Sequence, residues 1–294
     1  MKLLNAIEQF NEWRKSRGIS EHTLTGFDKD LRYFALFLKN KDLEKIKIDD
    51  IAGFINMSRE LGWQDNSLHR KTMAFRKFFQ FHFYQNRGVL NPMLIEAPRL
   101  KEKQPKIPTL ESIEKLVAAI EEEPQRIIKA RNKAIVTTLY DTGCRVGELC
   151  ALDVDNVDIE EHKAVITTEK SNILRELFWS ENSGSPKIIE EWYSIRNQEQ
   201  ARDNAFFISF SKNSRGKRLS RFGVNLMLTE YCSRARIERI HPHQFRHLIG
   251  IDAAKSGKNN STISSLLGHK NVQSSFRYTR LYNKDLKEIH SGIR

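Results

Sequence analysis

The sequence is poor in the features that mark secreted and membrane proteins. It has 3 cysteines among 294 residues, an odd number with no C-x-x-C pair, which argues for a reducing cytosol and against a disulfide framework or a thiolate zinc site. No apolar run approaches the roughly 20 residues of a membrane span. The opening MKLLNAIEQF turns polar after two leucines, unlike a signal peptide. We therefore expect a cytoplasmic protein with no membrane partner.

Motifs for nucleotide and metal chemistry are missing as well. The sequence contains no G-x-x-x-x-G-K-[ST] loop, which argues against ATP, and no G-x-S-x-G elbow of a serine hydrolase. His241, His243 and His247 would suggest a metal site, but H-E-x-x-H, a nearby carboxylate cluster and a cysteine pair are all absent. We expect no metal and no other cofactor.

Positive charge is what the sequence has in excess. Lys and Arg number 49 against 37 Asp and Glu, which gives a net charge of +12. The surplus is spread over both halves and is dense in PRLKEKQPKIP (98–108). Such a balance favours a polyanionic partner, although many basic proteins bind no nucleic acid. Charge alone leaves the class of partner open.

A C-terminal stretch concentrates the residue types that attack on a phosphodiester requires. These are His243, Arg246, His247, His269 and Tyr278. A guanidinium binds the anion, imidazoles hold or move protons, and a phenol is a nucleophile. His243 and Arg246 are three residues apart and share a helix face. Without Arg145 and the His243-x-x-Arg246 pair, Tyr278 would be interpreted as an ordinary half-buried helix tyrosine.

Helix boundaries also show in this stretch. Gly257 predicts the end of one helix, and Ser261 or Thr262 the N-cap of a short next one. Gly268 predicts the end of that helix, and residues 272–281 are predicted to form another. The histidine after Gly268 is therefore expected at a turn.

Two separated motifs resemble signatures of the tyrosine recombinase (phage integrase) family. HPHQFRH (241–247), LLGH (266–269) and a tyrosine nine residues after that histidine are similar to the family's C-terminal signature. DTGCRVGEL (141–149) is similar to the signature that carries its first catalytic arginine. Both motifs stand in the family's order and near its usual separation. The domain plan is most similar to that of the small, insertion-free Xer-type members.

The resemblance implies a catalytic set of six residues: Arg145, Lys170, His243, Arg246, His269 and Tyr278. In these roles Arg145 and Arg246 clamp the scissile phosphate. His243 accepts the proton of Tyr278, and His269 donates to a non-bridging oxygen. Lys170 protonates the departing 5′ oxygen, although the family's usual glycines around this lysine are absent here.

The resemblance also implies the reaction and the partners. A 3′-phosphotyrosyl intermediate and a Holliday junction are expected, in chromosome or plasmid dimer resolution or in integration and excision of a mobile element. The expected partner is double-stranded DNA with an inverted repeat, bound by a homo-tetramer on two sites or a hetero-tetramer with a second recombinase, at the nucleoid. A type IB topoisomerase and a non-catalytic DNA-binding relative remain open as alternatives.

The predicted fold is mainly α, of the α+β class. Residues 1–97 are expected to form a helical bundle that resembles the family's SAM-like core-binding domain, and 98–108 a basic, proline-containing linker. Residues 109–294 are expected to form a mostly helical catalytic domain with a small antiparallel sheet. Its tail, about 282–294, is expected to exchange between protomers.

Polar residues before apolar stripes predict the helix starts. Asp49 or Asp50 is expected to cap the third helix and Ser67 the fourth, while Thr109 and Ser220 are expected to cap helices of the second domain. The fourth helix has an apolar face with these residues: Leu68, Phe75, Phe78, Phe79 and Phe83.

Four basic residues are candidate DNA contacts: Arg70, Lys77, Lys101 and Lys103. The first two lie on the polar face of the fourth helix, and the other two lie in the linker. A solvated surface explains such a face equally well. The choice of DNA rests on the resemblance.

Strand signals are confined to the middle of the chain. AVITT (164–168) and LRELFWS (174–180) predict a β-hairpin with Lys170 at its tip, where a lysine is often merely solvated. Residues 206–208, an apolar run of three, predict a third strand.

Overall fold

The computed structural model describes residues 1–100, 106–168, 174–198, 201–269 and 271–282. The chain divides into two compact units, Met1–Lys103 and Gln104–Arg294. The predicted mainly helical fold with a small antiparallel sheet is confirmed. No helix in the described ranges is long and apolar enough to cross a membrane.

The first unit is a helical bundle. Its described α-helices are α1 (Leu3–Ser16), α2 (Glu21–Phe37), α3 (Ile48–Glu60) and α4 (Asp65–Phe83). Two predicted caps are wrong. Asp50 lies in the first turn of α3, where its carboxylate accepts the Lys47 N–H at 2.8 Å, so the helix starts before it. The fourth helix likewise starts two residues before Ser67.

Aromatic rings fill the core of this bundle. Phe34 of α2 stacks on Phe75 of α4 with ring centroids 4.5 Å apart, and Phe54 of α3 meets both edge-on. Phe83, expected on the same face, is 40% exposed because it is the last residue of α4, beyond the packed turns. The remaining aromatic positions of the apolar face, Phe78 and Phe79, are buried.

One buried histidine of the first unit makes its stability depend on pH. His82 is fully buried with Nε2 3.1 Å from the Ala6 carbonyl oxygen, and burial lowers its pKa to about 4. An unfolded histidine titrates near 6.5. Between these values the unfolded chain therefore binds the proton that the folded chain excludes, so stability falls as pH decreases through that window.

We expect the unfolding temperature of the first unit to drop on acidification from about pH 6.5 to 4, because of this pKa difference. His82→Phe keeps the ring packing on Phe78 and Phe81 but removes the titration. Its pH slope should be shallower than that of the wild type. His162→Gln, at a turn of the other unit, is the control and should keep the wild-type slope of the first unit. Equal slopes in all three proteins would contradict the role of His82.

The second unit combines helices with one small sheet. Its described α-helices are α5 (Leu110–Glu121), α6 (Arg126–Thr142), α7 (Val146–Ala151), α8 (Ser185–Gln198), α9 (Arg221–Arg234), α10 (Pro242–Lys255), α11 (Asn260–Leu267) and α12 (Phe276–Tyr282). Its described strands are β1 (Val157–Asp158), β2 (Lys163–Thr167) and β3 (Leu174–Phe178). They pair antiparallel in the order β1-β2-β3, and Val165 of β2 faces Glu176 of β3.

The third strand is not the predicted one. Residues 206–208 are buried, but side chains take their carbonyls: Trp192 Nε1 donates to Phe206 at 3.1 Å and Arg131 Nη1 to Ile208 at 3.2 Å. With those acceptors occupied, the segment forms only an isolated bridge between Ile208 and Arg218. The third strand is β1, which was too short to show a periodic pattern.

Helix caps in this unit follow local chemistry. Thr109 Oγ1 accepts the Ser112 N–H, and Ser220 Oγ accepts the Gly223 N–H, each at 3.1 Å, which confirms both predicted caps. The cap of α11 is Asn259, whose Oδ1 accepts the Thr262 N–H at 2.8 Å. The prediction of Ser261 or Thr262 as that cap is wrong, because the helix begins earlier. Residues 272–275 form a 3₁₀ turn before α12 instead of belonging to it.

Candidate active site

Arg145 is placed by a helix break. Helix α6 ends at Thr142, Gly143 adopts φ +55°, and Arg145 precedes α7 as its N-cap. Glu148, fully buried, accepts from the Arg145 backbone N–H at 2.8 Å and from Nη1 at 2.6 Å. Nη2 donates to the Gly268 carbonyl at 3.2 Å. The guanidinium is thus oriented from both sides.

Arg246 reaches the same place from α10. Its side chain is 1% exposed, with Nη1 donating to the Gly143 carbonyl at 2.8 Å and Nη2 donating to the Leu267 carbonyl. Burial, and then the charge of Arg145, lowers the pKa of Arg246 to about 10. The guanidinium therefore stays charged at neutral pH, in a partly desolvated position where it attracts an anion strongly.

The turn at Gly143 favours glycine for two reasons. A Cβ there would lie 3.2 Å from both Ile249 Cδ1 and Leu267 Cδ2, and its φ of +55° is strained for other residues. Gly257 also has a positive φ, +72°, but a Cβ there meets nothing within 4 Å. Alanine substitutions at the two glycines therefore separate two effects: both strain the backbone, but only the one at Gly143 displaces neighbours in the site.

We expect Gly143→Ala to slow strand cleavage about 10-fold or more, because it moves the carbonyl that holds Arg246. Both Gly143→Ala and Gly257→Ala should lose about 1 kcal/mol of unfolding free energy to the left-handed backbone. Urea unfolding and single-turnover cleavage of a duplex measure the two effects. Equal cleavage rates in both variants would show that the Gly143 turn does not position Arg246.

Tyr278 is buried on the inner face of α12. It is 2% exposed, and its ring lies on Gly250 of α10, where a Cβ would come within 2.7 Å of the ring. Its hydroxyl lies 2.9 Å from His247 Nδ1. Burial raises the pKa of Tyr278, so the phenol is protonated at neutral pH, and it donates to His247 in the tautomer whose Nδ1 carries no hydrogen.

His247 is a residue whose role sequence reasoning missed. Burial, and then the charge of His243, lowers its pKa to about 4, so a neutral ring faces the phenol. The His243 and His247 rings lie edge to face with centroids 4.8 Å apart. Their i, i+4 spacing on α10 was the available signal, but it does not show which imidazole meets Tyr278.

His269 lies on the other side of the tyrosine. It follows the Gly268 turn, as expected, and its ring lies parallel to that of Tyr278 with centroids 6.4 Å apart. Its Nδ1 is 2.8 Å from the hydroxyl of Ser275, which is fully buried. Burial, and then Arg246, lowers the His269 pKa to about 4.

Arg175 of β3 is a third arginine that the sequence did not indicate. Its Nη1 donates to the Leu266 carbonyl at 3.0 Å. Its Nε and Nη2 are buried and, within the described part of the chain, have no hydrogen-bond partner. Burial lowers its pKa, and Arg145 acts in the same direction. A strand arginine five residues after Lys170 carries no local signal that it faces the site.

The structure brings together five of the six predicted catalytic residues in the second unit: Arg145, His243, Arg246, His269 and Tyr278. Lys170 lies outside the described residues, as do 283–294 of the predicted tail. Lys163, the next lysine before Lys170, begins β2, with Nζ 3.9 Å from Glu161.

The four candidate DNA contacts do not form a single cluster among the described residues. Lys101 and Lys103 lie outside the described residues. In the first unit Arg70, with 60% of its side chain exposed, pairs with buried Asp30, which Lys71 also holds at 2.6 Å. Lys77 Nζ lies 5.8 Å from the Phe27 ring centroid. Both basic side chains are therefore anchored to the bundle.

No group of three or more potential metal ligands (His, Cys, Asp or Glu) occurs among the residues that the structure describes. All three cysteines are buried. Burial raises the pKa of Cys144 to about 11, so this thiol, next to Arg145 in sequence, remains protonated.

Comparison with known proteins connects this geometry to a family. The model of the phage integrase family matches residues 108–285, and the model of the phage integrase N-terminal SAM-like domain matches residues 7–86. The chain is 28% identical over 288 residues to tyrosine recombinase XerC of Roseiflexus castenholzii, covering 94% of this chain and 88% of that protein.

Two solved structures show the same fold. The XerH site-specific recombinase bound to palindromic difH substrate has a TM-score of 0.75 at 18% identity, covering 97% of this chain and 83% of that one. A lambda integrase tetramer bound to a Holliday junction has a TM-score of 0.75 at 18% identity, covering 95% and 77%.

Proposed function

The chain belongs to the phage integrase family and is a tyrosine recombinase, a DNA strand transferase of site-specific recombination, in which we propose that Tyr278 is the nucleophile. The observation that carries this assignment is the 2.9 Å hydrogen bond between its hydroxyl and a neutral imidazole, beside two oriented guanidinium groups. Attack forms a 3′-phosphotyrosyl bond and releases a 5′-hydroxyl. That hydroxyl then attacks the 3′-phosphotyrosyl bond formed on a second duplex, which releases the tyrosine there and builds a Holliday junction.

Arg145 and Arg246 bind the scissile phosphate in this proposal. Each guanidinium has five N–H donors. The contacts to Glu148, Gly143, Leu267 and Gly268 use two side-chain nitrogens of each arginine. The remaining donors stabilise the charge that develops on the non-bridging oxygens, and the fixed contacts mean that little reorganisation is needed at the moment of reaction.

The proton of Tyr278 passes first to His247, the imidazole in contact with it, and His243 lies beyond that ring as the further acceptor. His269 donates to a non-bridging oxygen through Nε2–H, which requires that its Nδ1 accept from Ser275. Lys170 protonates the departing 5′ oxygen.

Double-stranded DNA carrying an inverted repeat is the proposed substrate, bound by four protomers on two sites, either of one kind or with a second recombinase. The net charge of +12 supports a polyanion. XerH on a palindromic substrate and a lambda integrase tetramer on a Holliday junction support the assembly. Because the ester retains the bond energy, the reaction needs neither metal nor nucleotide. The proposed biological role is dimer resolution or integration and excision, in the cytoplasm at the nucleoid. Lys101 and Lys103 are proposed as further DNA contacts.

A nicked duplex with the two arms of an inverted repeat tests the function. The nick lets the short fragment that carries the new 5′-hydroxyl diffuse away. The covalent protein–DNA product therefore accumulates and is seen on a denaturing gel. We expect this adduct on the DNA end that carries the 3′-phosphate, and we expect strand exchange between two intact sites. Relaxation of supercoils by monomers with no exchange between sites would instead indicate topoisomerase activity. Tight binding with no adduct would indicate a non-catalytic protein.

A further inference from the structure

Three arginines of this unit are held by three consecutive backbone carbonyls. Arg175 donates to Leu266, Arg246 to Leu267 and Arg145 to Gly268. These carbonyls belong to the last residues of α11 and the turn after it, where Gly268 has φ +61°. The last carbonyls of a helix have no partner within the helix and carry the negative end of its dipole. The end of α11 therefore gathers the three guanidinium groups, called here the arginine cluster.

The arginine cluster carries more positive charge than its surroundings neutralise. Glu148 is the one carboxylate with an ion pair to it among the described residues, and that pair is with Arg145. Arg175 makes no ion pair within the same ranges, although Glu148 is close enough to favour its charged form. Three guanidinium groups and one carboxylate leave a net charge of +2 in a partly buried position.

A net charge of +2 matches the transition state better than the ground state. A phosphodiester carries one negative charge, and the pentavalent phosphorane formed by phenolate attack carries two. Interactions that strengthen only as the transition state forms accelerate the chemical step, whereas uniform binding does not. The third positive charge therefore contributes to the rate of cleavage more than to DNA affinity.

Arg175 is placed to supply that charge without touching DNA. Its Nε and Nη2 are buried in the DNA-free protein, so they do not present donors to an incoming phosphate. Gly268 lies against it, since a Cβ there would be 3.0 Å from Arg175 Nη1. The charge of Arg175 is close enough to Arg246 to lower the pKa of Arg246, and it acts through a partly buried region where Coulomb interactions are stronger than in water.

We propose that Arg175 is a positioning residue for strand cleavage, which holds the end of α11 through Leu266 and supplies the third positive charge that the dianionic transition state requires. This inference rests on the proposed function, since it assumes attack on a phosphodiester at the arginine cluster.

Three substitutions separate charge from anchoring. Arg175→Lys keeps the charge and a donor for the Leu266 carbonyl, Arg175→Gln keeps only a donor, and Arg175→Met keeps neither. Arg196→Gln is the matched control, because Arg196 is a buried arginine that, like Arg175, donates to backbone carbonyls, those of Asp203 and Ala205. Unfolding temperature, duplex affinity and single-turnover cleavage are measured for all four variants.

We expect Arg175→Gln and Arg175→Met to cleave at least about 10-fold more slowly at saturating DNA. Single-site affinity should stay within about 2-fold, because the residue acts on the transition state. Arg175→Lys should recover most of the rate. Arg196→Gln should lose stability without a comparable loss of rate.

A scissile methylphosphonate, which lacks one negative charge, provides the decisive comparison. Its transition state carries one charge instead of two, so the penalty of Arg175→Gln should largely disappear on this substrate. An equal loss of cleavage rate by Arg175→Gln on both substrates would show that Arg175 only packs. Equal cleavage rates of Arg175→Gln and Arg175→Lys would show the same. If Arg175→Gln does not fold, the cleavage rates of Arg175→Lys and wild type are compared on both substrates. The proposal is overturned if Arg175→Lys is slower than wild type by the same factor on the phosphodiester and on the methylphosphonate. Absence of an adduct with wild-type protein would instead overturn the proposed function itself.

Discussion

Tyr278→Phe is expected to bind its duplex like the wild type and to form no covalent adduct. The substitution removes one buried hydroxyl and leaves the ring packed on Gly250. It also leaves the basic surface unchanged, so affinity should not change. Because the phosphotyrosyl bond is made by that oxygen, the loss of cleavage should be complete within detection. The measurement is a nicked duplex resolved on a denaturing gel, beside a binding titration.

Tyr231→Phe is the matched control for this experiment. Its hydroxyl is also buried in the second unit and donates to Glu123 at 2.5 Å. We expect this variant to form the adduct at a wild-type rate, with some loss of stability. An adduct that persists in Tyr278→Phe would move the nucleophile to another residue, of which Tyr282, also in α12, would be tested first.

Arg246→Ala and Arg145→Ala should each lose at least about 10²-fold in cleavage rate, the usual effect of removing one transition-state anion stabiliser. Arg246 has the larger expected effect, because its loss also releases the Gly143 and Leu267 carbonyls that it holds. Arg246→Lys keeps a charge but cannot contact both carbonyls in a fork, so it should recover only part of the rate.

Arg131→Ala controls for loss of a buried arginine in the same unit. Its guanidinium bonds Asn132 Oδ1 and the Ile208 carbonyl, and burial lowers its pKa to about 10, as for Arg246. It should lower the unfolding temperature but leave cleavage per folded molecule unchanged. Near-wild-type cleavage by Arg246→Ala or Arg145→Ala would remove that arginine from the phosphate site.

Local pattern and local chemistry predicted much of the fold. Thr109 and Ser220 were found as caps because a side-chain oxygen three residues before a free N–H is a local relation. The same rule gave the wrong residue at Asp50, where an acidic side chain within the first turn serves equally well. The apolar run at 206–208 was wrongly predicted to be a strand, because apolar composition indicates that a segment is buried but not that it pairs with another strand.

The sequence by itself determined the family, the mainly helical plan and the residue types that the chemistry requires, since motif spacing and helical periodicity are properties of neighbouring residues. Only the tertiary structure decided that His247 is the imidazole at Tyr278 and that Arg175 joins the other two arginines. The contact from Arg145 to Gly268 spans 123 residues and that from Arg175 to Leu266 spans 91. Such contacts depend on how α10, α11 and the sheet pack, and no local periodicity encodes which distant carbonyl a buried guanidinium meets.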